Sequence, residues 1–292
     1  MNKKIMDFYD KNHKKLLVIP IVILLFSVFV IFNHYFKTGE FINKGVTLKG
    51  GSVITIQLNS PTNIIKVKNE LKLLTNEDLS VKEFSSSTGE QLGMIIETTS
   101  QDISFIEDFF RKNYDVKTIN TETIGPSLGK AFFRQAIISV VAAFALMAVV
   151  IFIYFRLPIP SIYIIVSALA DILFAWAILL LFDIKLSTAG IAALLMLIGY
   201  SVDTDILLTT RVLKRQGSVT EKIFGAFSTG VVMTLSAMAA TGIAYLLTPS
   251  EILKQIMLIL FLGLSADLWN TWLLNSSLLK IYIEKKKGIQ NV

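Results

Sequence analysis

The chain has 292 residues, 53% of them hydrophobic and only 17% charged, with a formal net charge of +6. Soluble domains carry about 25% charged residues, and the absence of cysteine excludes disulfides, thiol catalysis and Cys-based metal sites. Residues 37–124 hold ten Lys/Arg against twelve Asp/Glu, so the positive charge sits elsewhere, at the ends of apolar runs; this is the pattern of a membrane protein rather than a nucleic-acid binder.

A helix needs about 20 apolar residues to cross the hydrocarbon of a bilayer. Six stretches meet this, at about 16–33, 132–155, 160–182, 186–209, 223–247 and 252–276. Lys3, Lys4, Lys11, Lys14 and Lys15 precede the first, but no small-residue cleavage site follows it, so it is expected to be a retained span. His13 and His34 flank that run and make no metal cluster.

Between the first two spans the pattern changes. "SVITIQLN" (52–59) alternates and is β-branched, "NIIKVKNELKLL" (63–74) has helical spacing, and "LSVKEFSS" (79–86) and "QLGMIIETT" (91–99) read as strands joined by a turn at Thr88-Gly89. "ISFIEDFFRKNY" (103–114) is amphipathic and "DVKTINTETI" (115–124) is a last strand. The order βαββαβ predicts an α+β, ferredoxin-like sandwich. "KGVTLKGGS" (44–52) is glycine-rich and basic, but it leads into a strand and reads as a turn rather than a phosphate cradle.

Orientation follows from the placement of Lys and Arg. With the N-terminus in the cytoplasm, Arg156, Arg211, Lys214, Arg215, Lys222, Lys280 and Lys285 to Lys287 all fall inside, and the two short outer loops keep Lys185 and Lys254. The expected organisation is an α-helical polytopic membrane protein of six spans. It comprises a cytoplasmic N-terminus and first span (1–36), an extracytoplasmic domain (37–124), spans two to six (125–279) and a short basic cytoplasmic tail (280–292).

No P-loop, HExxH or G-x-S-x-G occurs, so neither a catalytic residue nor a cofactor or metal site is expected. The polar residues inside the spans are the remaining candidates. Ionisable groups there are rare, face protein or water, and mark pathways. Asp171 lies in the third span, Asp203 and Asp205 in the fourth, and Asp267 in the sixth with Asn270 beside it. All four fall within roughly 10–12 Å of the midplane, with no basic partner at that depth, which suits carboxylates that exchange protons. Two residues along a helix is about 200° of rotation, so Asp203 and Asp205 face different neighbours, one of them toward the relay and the other toward a helix contact or Arg211 or Arg215. Ala226, Gly230, Thr234 and Gly242, with Ser236 nearby, make a small polar stripe that lets the fifth span pack beside the acids.

Four stretches carry a resemblance. "INKGVTLKGGSVITI" (42–56), "IGPSLGKAFFRQAIISVV" (124–141), "IGYSVDTDILLTTRVLKR" (198–215) and "LGLSADLWNTWLLNSSLL" (262–279) are similar, in order, to motifs of the SecD/SecF family within the resistance-nodulation-division superfamily, and resemble its SecF branch of archaeal type. The resemblance implies protein export: a membrane subunit pairing with a SecD-like protein and the Sec translocon channel (the SecY complex) in the cell membrane. Such a subunit pulls or holds unfolded secretory polypeptide on the outer side, linked to the proton-motive force through a fourth-span acid. Asp203 stands where the bacterial SecF motif has Asn, and Thr204 where it has Asp, which puts the acid of this chain in SecD register. Asp171 matches the acid of a third-span His-Asp pair, with Ala170 in place of the histidine. Asp203 is accordingly the expected proton-titrating group, in contact with the SecD-like partner or Asp171. The other readings are a translocon scaffold without ion coupling, and a dimeric small-molecule or lipid exporter.

Overall fold

The computed structural model describes residues 3–74, 79–85 and 90–290. Helices α1 (Lys3–Leu16) and α2 (Val18–Thr38) are followed by a single turn, α3 (Val46–Lys49), and then by β1 (Gly51–Leu58), α4 (Ile64–Leu74), β2 (Leu79–Ser85), β3 (Gln91–Thr98), α5 (Ser104–Asn113) and β4 (Val116–Ile124). The bundle continues with α6 (Pro126–Phe155), α7 (Pro158–Leu181), α8 (Thr188–Lys214), α9 (Val219–Leu247) and α10 (Glu251–Trp269). A π-helical turn (Asn270–Asn275) leads from α10 into α11 (Ser276–Gln290). Six of the described helical stretches are long and apolar enough to cross a membrane.

The four strands form one antiparallel sheet in the order β2-β3-β1-β4. One face is set by alternation: Ile54, Ile56, Met94 and Ile96 point the same way, because Ile54 pairs with Ile96 and Ile56 with Met94. They close on Val67 and Leu71 of α4 and Ile106 and Phe110 of α5. Full burial of one such side chain contributes about 1.5–3 kcal/mol, so this core carries the unit. The expected turn at Thr88-Gly89 lies outside the described residues. The segment 44–52 holds one element that the sequence did not suggest, the single turn α3.

The other sheet face looks toward the bundle across a cleft of about 670 Å³, walled by Val53, Phe84 and Ile95 on the sheet and by Tyr245, Ile252 and Leu258 on α9 and α10. The segment before β1 ties the sheet unit to the bundle. Gly45 N–H donates to Leu186 O and Leu186 N–H to Asn43 O, while α3 packs on the start of α6. At that joint a Cβ on Gly129 would come within 2.6 Å of the Gly50 backbone nitrogen, and Gly50 has φ +90°. The two glycine motifs of the sequence are therefore two halves of one backbone-to-backbone contact.

In the bundle, α7 and α8 are central, whereas α6 and α9 leave most of their surface uncovered. At the end opposite the sheet, α1 folds across α9 and α11: Tyr9 Oη lies 2.8 Å from Ser276 Oγ, and Lys280 Nζ donates to Asp10 Oδ1 at 2.6 Å. By sequence, the residues before 16 are only a basic approach to the first span. The break from α2 comes from Pro20, which has no N–H for the Leu16 carbonyl.

Candidate functional site

Three helices bring three carboxylates together in the middle of the bundle. Asp171, Asp205 and Asp267 are each 0% exposed. Asp171 Oδ2 accepts from Ser201 Oγ at 2.5 Å and Oδ1 from Asn270 Nδ2 at 2.7 Å. Asp205 Oδ1 accepts from Asn275 Nδ2 at 2.7 Å and Thr271 Oγ1 at 2.9 Å. Asp267 Oδ2 accepts from Thr234 Oγ1 at 3.0 Å, and its Oδ1 lies 2.7 Å from both Thr204 Oγ1 and Thr271 Oγ1.

Local geometry explains the convergence. Ser201, Thr204 and Asp205 lie three and four residues apart, hence on one face of α8. Thr271 follows Asp267 by four residues. The π turn then widens the helix to an i→i+5 repeat, which keeps Asn270 and Asn275 turned toward α7 and α8 together. A π turn inside a helix often marks a functional site, and here it supplies three of the network's donors.

The hydrogens in this network can be counted. A Thr hydroxyl has one hydrogen to donate. Thr204 Oγ1 is within bonding distance of Asp267 Oδ1 and, at 2.9 Å, of Ser201 O; Thr271 Oγ1 faces both Asp205 Oδ1 and Asp267 Oδ1. Two hydrogens serve four contacts, so the contacts close fully only when carboxyl protons supply the rest. Among the described residues no Lys, Arg or His makes an ion pair with these acids. Three buried, unpaired carboxylates would cost several kcal/mol each.

Asp203, the acid expected to titrate, does not join them. It is exposed on the outer surface of α8, with no hydrogen bond to any described residue. The 200° separation holds: Asp205 takes the inward position and Asp203 the outward one. Of the stripe on α9, Thr234 bonds Asp267 and Gly230 packs directly under the Trp272 ring. Gly242 lies farther along, near Phe261, and Ser236 is exposed and bonds its own helix at Val232 O. Arg211 bonds Gly225 O and Thr229 Oγ1 rather than an acid. Ser201, Thr271 and Asn275 are not singled out by the sequence, and Thr204 only as the residue standing where the bacterial motif has its acid; their spacing of three or four residues from the acids or from one another was the signal available.

A polytopic helical bundle with an inserted four-stranded unit and a buried carboxylate network defines the class. The family pattern described as "Protein export membrane protein SecD/SecF, C-terminal" matches residues 105–285. The "Protein-export membrane protein SecF" of Pyrococcus furiosus is 35% identical over 291 residues, covering 99% of this chain and 97% of the relative. That of Methanocaldococcus jannaschii is 39% identical over 289 residues, covering 95% and 98%. The crystal structure of SecDF, a translocon-associated membrane protein from Thermus thermophilus, superposes with a TM-score of 0.76 at 17% identity, over 94% of this chain and 38% of that one. The chain belongs to the SecF branch of the SecD/SecF family.

Proposed function

We propose that this chain is the SecF-like membrane subunit of a SecD/SecF complex that assists the Sec translocon in protein export. Ion movement through its bundle, by proton exchange at Asp171, Asp205 and Asp267, drives motion of the sheet unit. The observation that carries this reading is the convergence of three buried carboxylates on a network short of hydrogens and without a cation. A scaffold has no use for such a cluster, since buried ionisable groups are costly where they serve packing alone.

The order βαββαβ with sheet order β2-β3-β1-β4 supports a ferredoxin-like domain, placed on the outer side by the distribution of Lys and Arg, with both termini in the cytoplasm of a multi-pass plasma-membrane protein. The cleft beneath its open face is where unfolded polypeptide is held. The SecD-like partner covers the exposed face of α8, because Asp203 there faces out of the bundle at mid-span and a carboxylate is costly against lipid.

The test is export of a secreted reporter by Asp205→Asn and Asp171→Asn, co-expressed with the SecD-like partner and checked for co-purification. Lost export from an intact complex is expected. Full export from an intact complex favours the scaffold.

A further inference from the structure

Helix α1 carries a face that the bundle does not use. Met6, Tyr9, His13 and Leu16 follow one another at intervals of three, four and three residues, so they share one side of the helix. That side packs on the lysine-rich end of the bundle. Tyr9 meets Phe224 of α9 edge to face at 5.6 Å between ring centres, its hydroxyl reaches Ser276 of α11, and His13 is buried with it. Lys4, Phe8, Lys11 and Lys15, at intervals of four, three and four, make the opposite side, with Lys14 at its edge, and all five are exposed.

The rotation of α1 is pinned. Lys280 Nζ and Thr220 Oγ1 both donate to Asp10 Oδ1, on the flank of the helix. Together with the Tyr9 contact they hold the lysines turned away from the bundle. They also take Asp10 out of the charge balance, which leaves Asp7 beside four lysines. Several other cations of this end are engaged within the protein. Arg211 bonds Gly225 O and Thr229 Oγ1, Lys222 donates to Val212 O, and Lys214 sits over the Tyr154 ring at 4.3 Å. Lys4, Lys11, Lys14 and Lys15 make no ion pair with any described residue. Phe8 stands in their midst, 59% exposed.

The position of this face says what it meets. Helix α1 runs into the first span through Leu17, whose N–H bonds His13 O. At about 1.5 Å per residue, Lys11, Lys14 and Lys15 lie within roughly 10 Å of the start of α2. Lysine stems are long enough to bring their ammonium groups from there to the headgroup layer.

We propose that the Lys4, Phe8, Lys11, Lys14 and Lys15 face of α1 docks on anionic phospholipid in the leaflet at that end. The ammonium groups pair with lipid phosphate, and the Phe8 ring enters the boundary between headgroups and acyl chains, as in an interfacial amphipathic helix. Charge alone would suit any polyanion; an exposed ring among the lysines, next to a membrane span, favours lipid. The contact would hold α1 across α9 and α11. This goes beyond the export reading and does not rest on it.

The experiment is native mass spectrometry of the full chain released from nanodiscs that hold equal amounts of phosphatidylglycerol and phosphatidylcholine. The retained lipid should be enriched in phosphatidylglycerol, and the enrichment should fade in about 1 M salt, where screening reaches to about 3 Å. One lysine near an anionic surface is worth about fivefold in affinity. The triple variant Lys11→Gln, Lys14→Gln, Lys15→Gln should therefore lose at least fivefold of the enrichment. Its melting point in pure phosphatidylcholine should stay that of the unaltered chain, since these side chains are exposed and unpaired. If the triple variant misfolds, Lys11→Gln and Lys15→Gln alone decide, each with a smaller loss expected. Equal retention of the two lipids by the unaltered chain would overturn the proposal. So would undiminished enrichment in the folded triple variant or in both single variants, which would put the anionic lipid on another surface.

Discussion

Asn270, in the π turn, donates its side-chain amide to the Asp171 carboxylate at 2.7 Å, joining the sixth membrane helix to the third. Both residues are buried, so neither has water as an alternative partner. Asn270→Leu should lower stability by about 1–3 kcal/mol, the range for leaving a buried polar group without its hydrogen-bond partner. Asp171→Asn is nearly isosteric and should cost less while still removing the exchangeable proton. Melting curves of the two variants in detergent or nanodiscs, set beside their export rates, separate the roles. A larger stability loss in Asp171→Asn than in Asn270→Leu would contradict this assignment.

The joint between the sheet unit and the bundle gives a second expectation. Gly129 and Gly50 meet backbone to backbone, and a methyl on Gly129 would lie 2.6 Å from the Gly50 nitrogen. Rigid backbone cannot yield as a side-chain tip does. Gly129→Ala should therefore cost about 1–3 kcal/mol as overpacking, or push the sheet unit off its seat. Limited proteolysis between residues 39 and 52, with melting curves, reads both. An unchanged melting point and unchanged cleavage would mean that the joint is looser than the contact implies.

Much of this architecture was legible in the sequence, and for identifiable reasons. The strands and helices of 51–124 follow from period-2 and period-3.6 apolar patterns, and the spans from sheer apolar length. The choice between Asp203 and Asp205 was not legible. Spacing fixes that they diverge, but which of them points inward depends on how α8 is rotated against α7 and α10, a tertiary property. The resemblance favoured Asp203, while the packing puts Asp205 among Thr271, Asn275 and Ser167. The π turn was also hidden, since "NTWLLN" is an ordinary helical stretch by composition; it carries Asn270 and Asn275, which bond Asp171 and Asp205. The helix α1 is not legible either, because its apolar residues are few and its partners, Ser276 and Lys280, lie at the far end of the chain.

In the sheet unit, Tyr114 Oη donates to Glu70 Oε2 at 2.8 Å. Partial burial, and then the neighbouring Glu70 carboxylate, push the Tyr114 phenol up to about 12. The folded-state value is raised, so the protonated phenol is the stabilising form. Its contribution is complete below the unfolded value of about 10 and is lost as pH rises through 12. Tyr114→Phe should cost about 0.5–1.5 kcal/mol at neutral pH. Its deficit relative to the unaltered chain should shrink above pH 10. A constant deficit from pH 8 to 12 would show that the hydroxyl contributes nothing that ionisation can remove.

The last expectation concerns the outward acid. Asp203 is exposed at mid-helix on α8, in a helix long and apolar enough to span a bilayer, and no described residue bonds it. On insertion scales an Asp at the centre of a membrane helix costs about 2.5–3.5 kcal/mol, so the isolated chain gains nothing from it. Asp203→Leu should leave the melting point of the chain alone unchanged or raised. If a partner supplies a cation or donors opposite Asp203, the same substitution strands those groups in the interface, where truncating one member of a buried charge pair costs 2–5 kcal/mol. Co-purification with the SecD-like subunit should then fall by at least about thirtyfold in affinity, the equivalent of 2 kcal/mol. A variant that folds normally and still binds the partner fully would place the interface on another face, the uncovered side of α6 being the next to test.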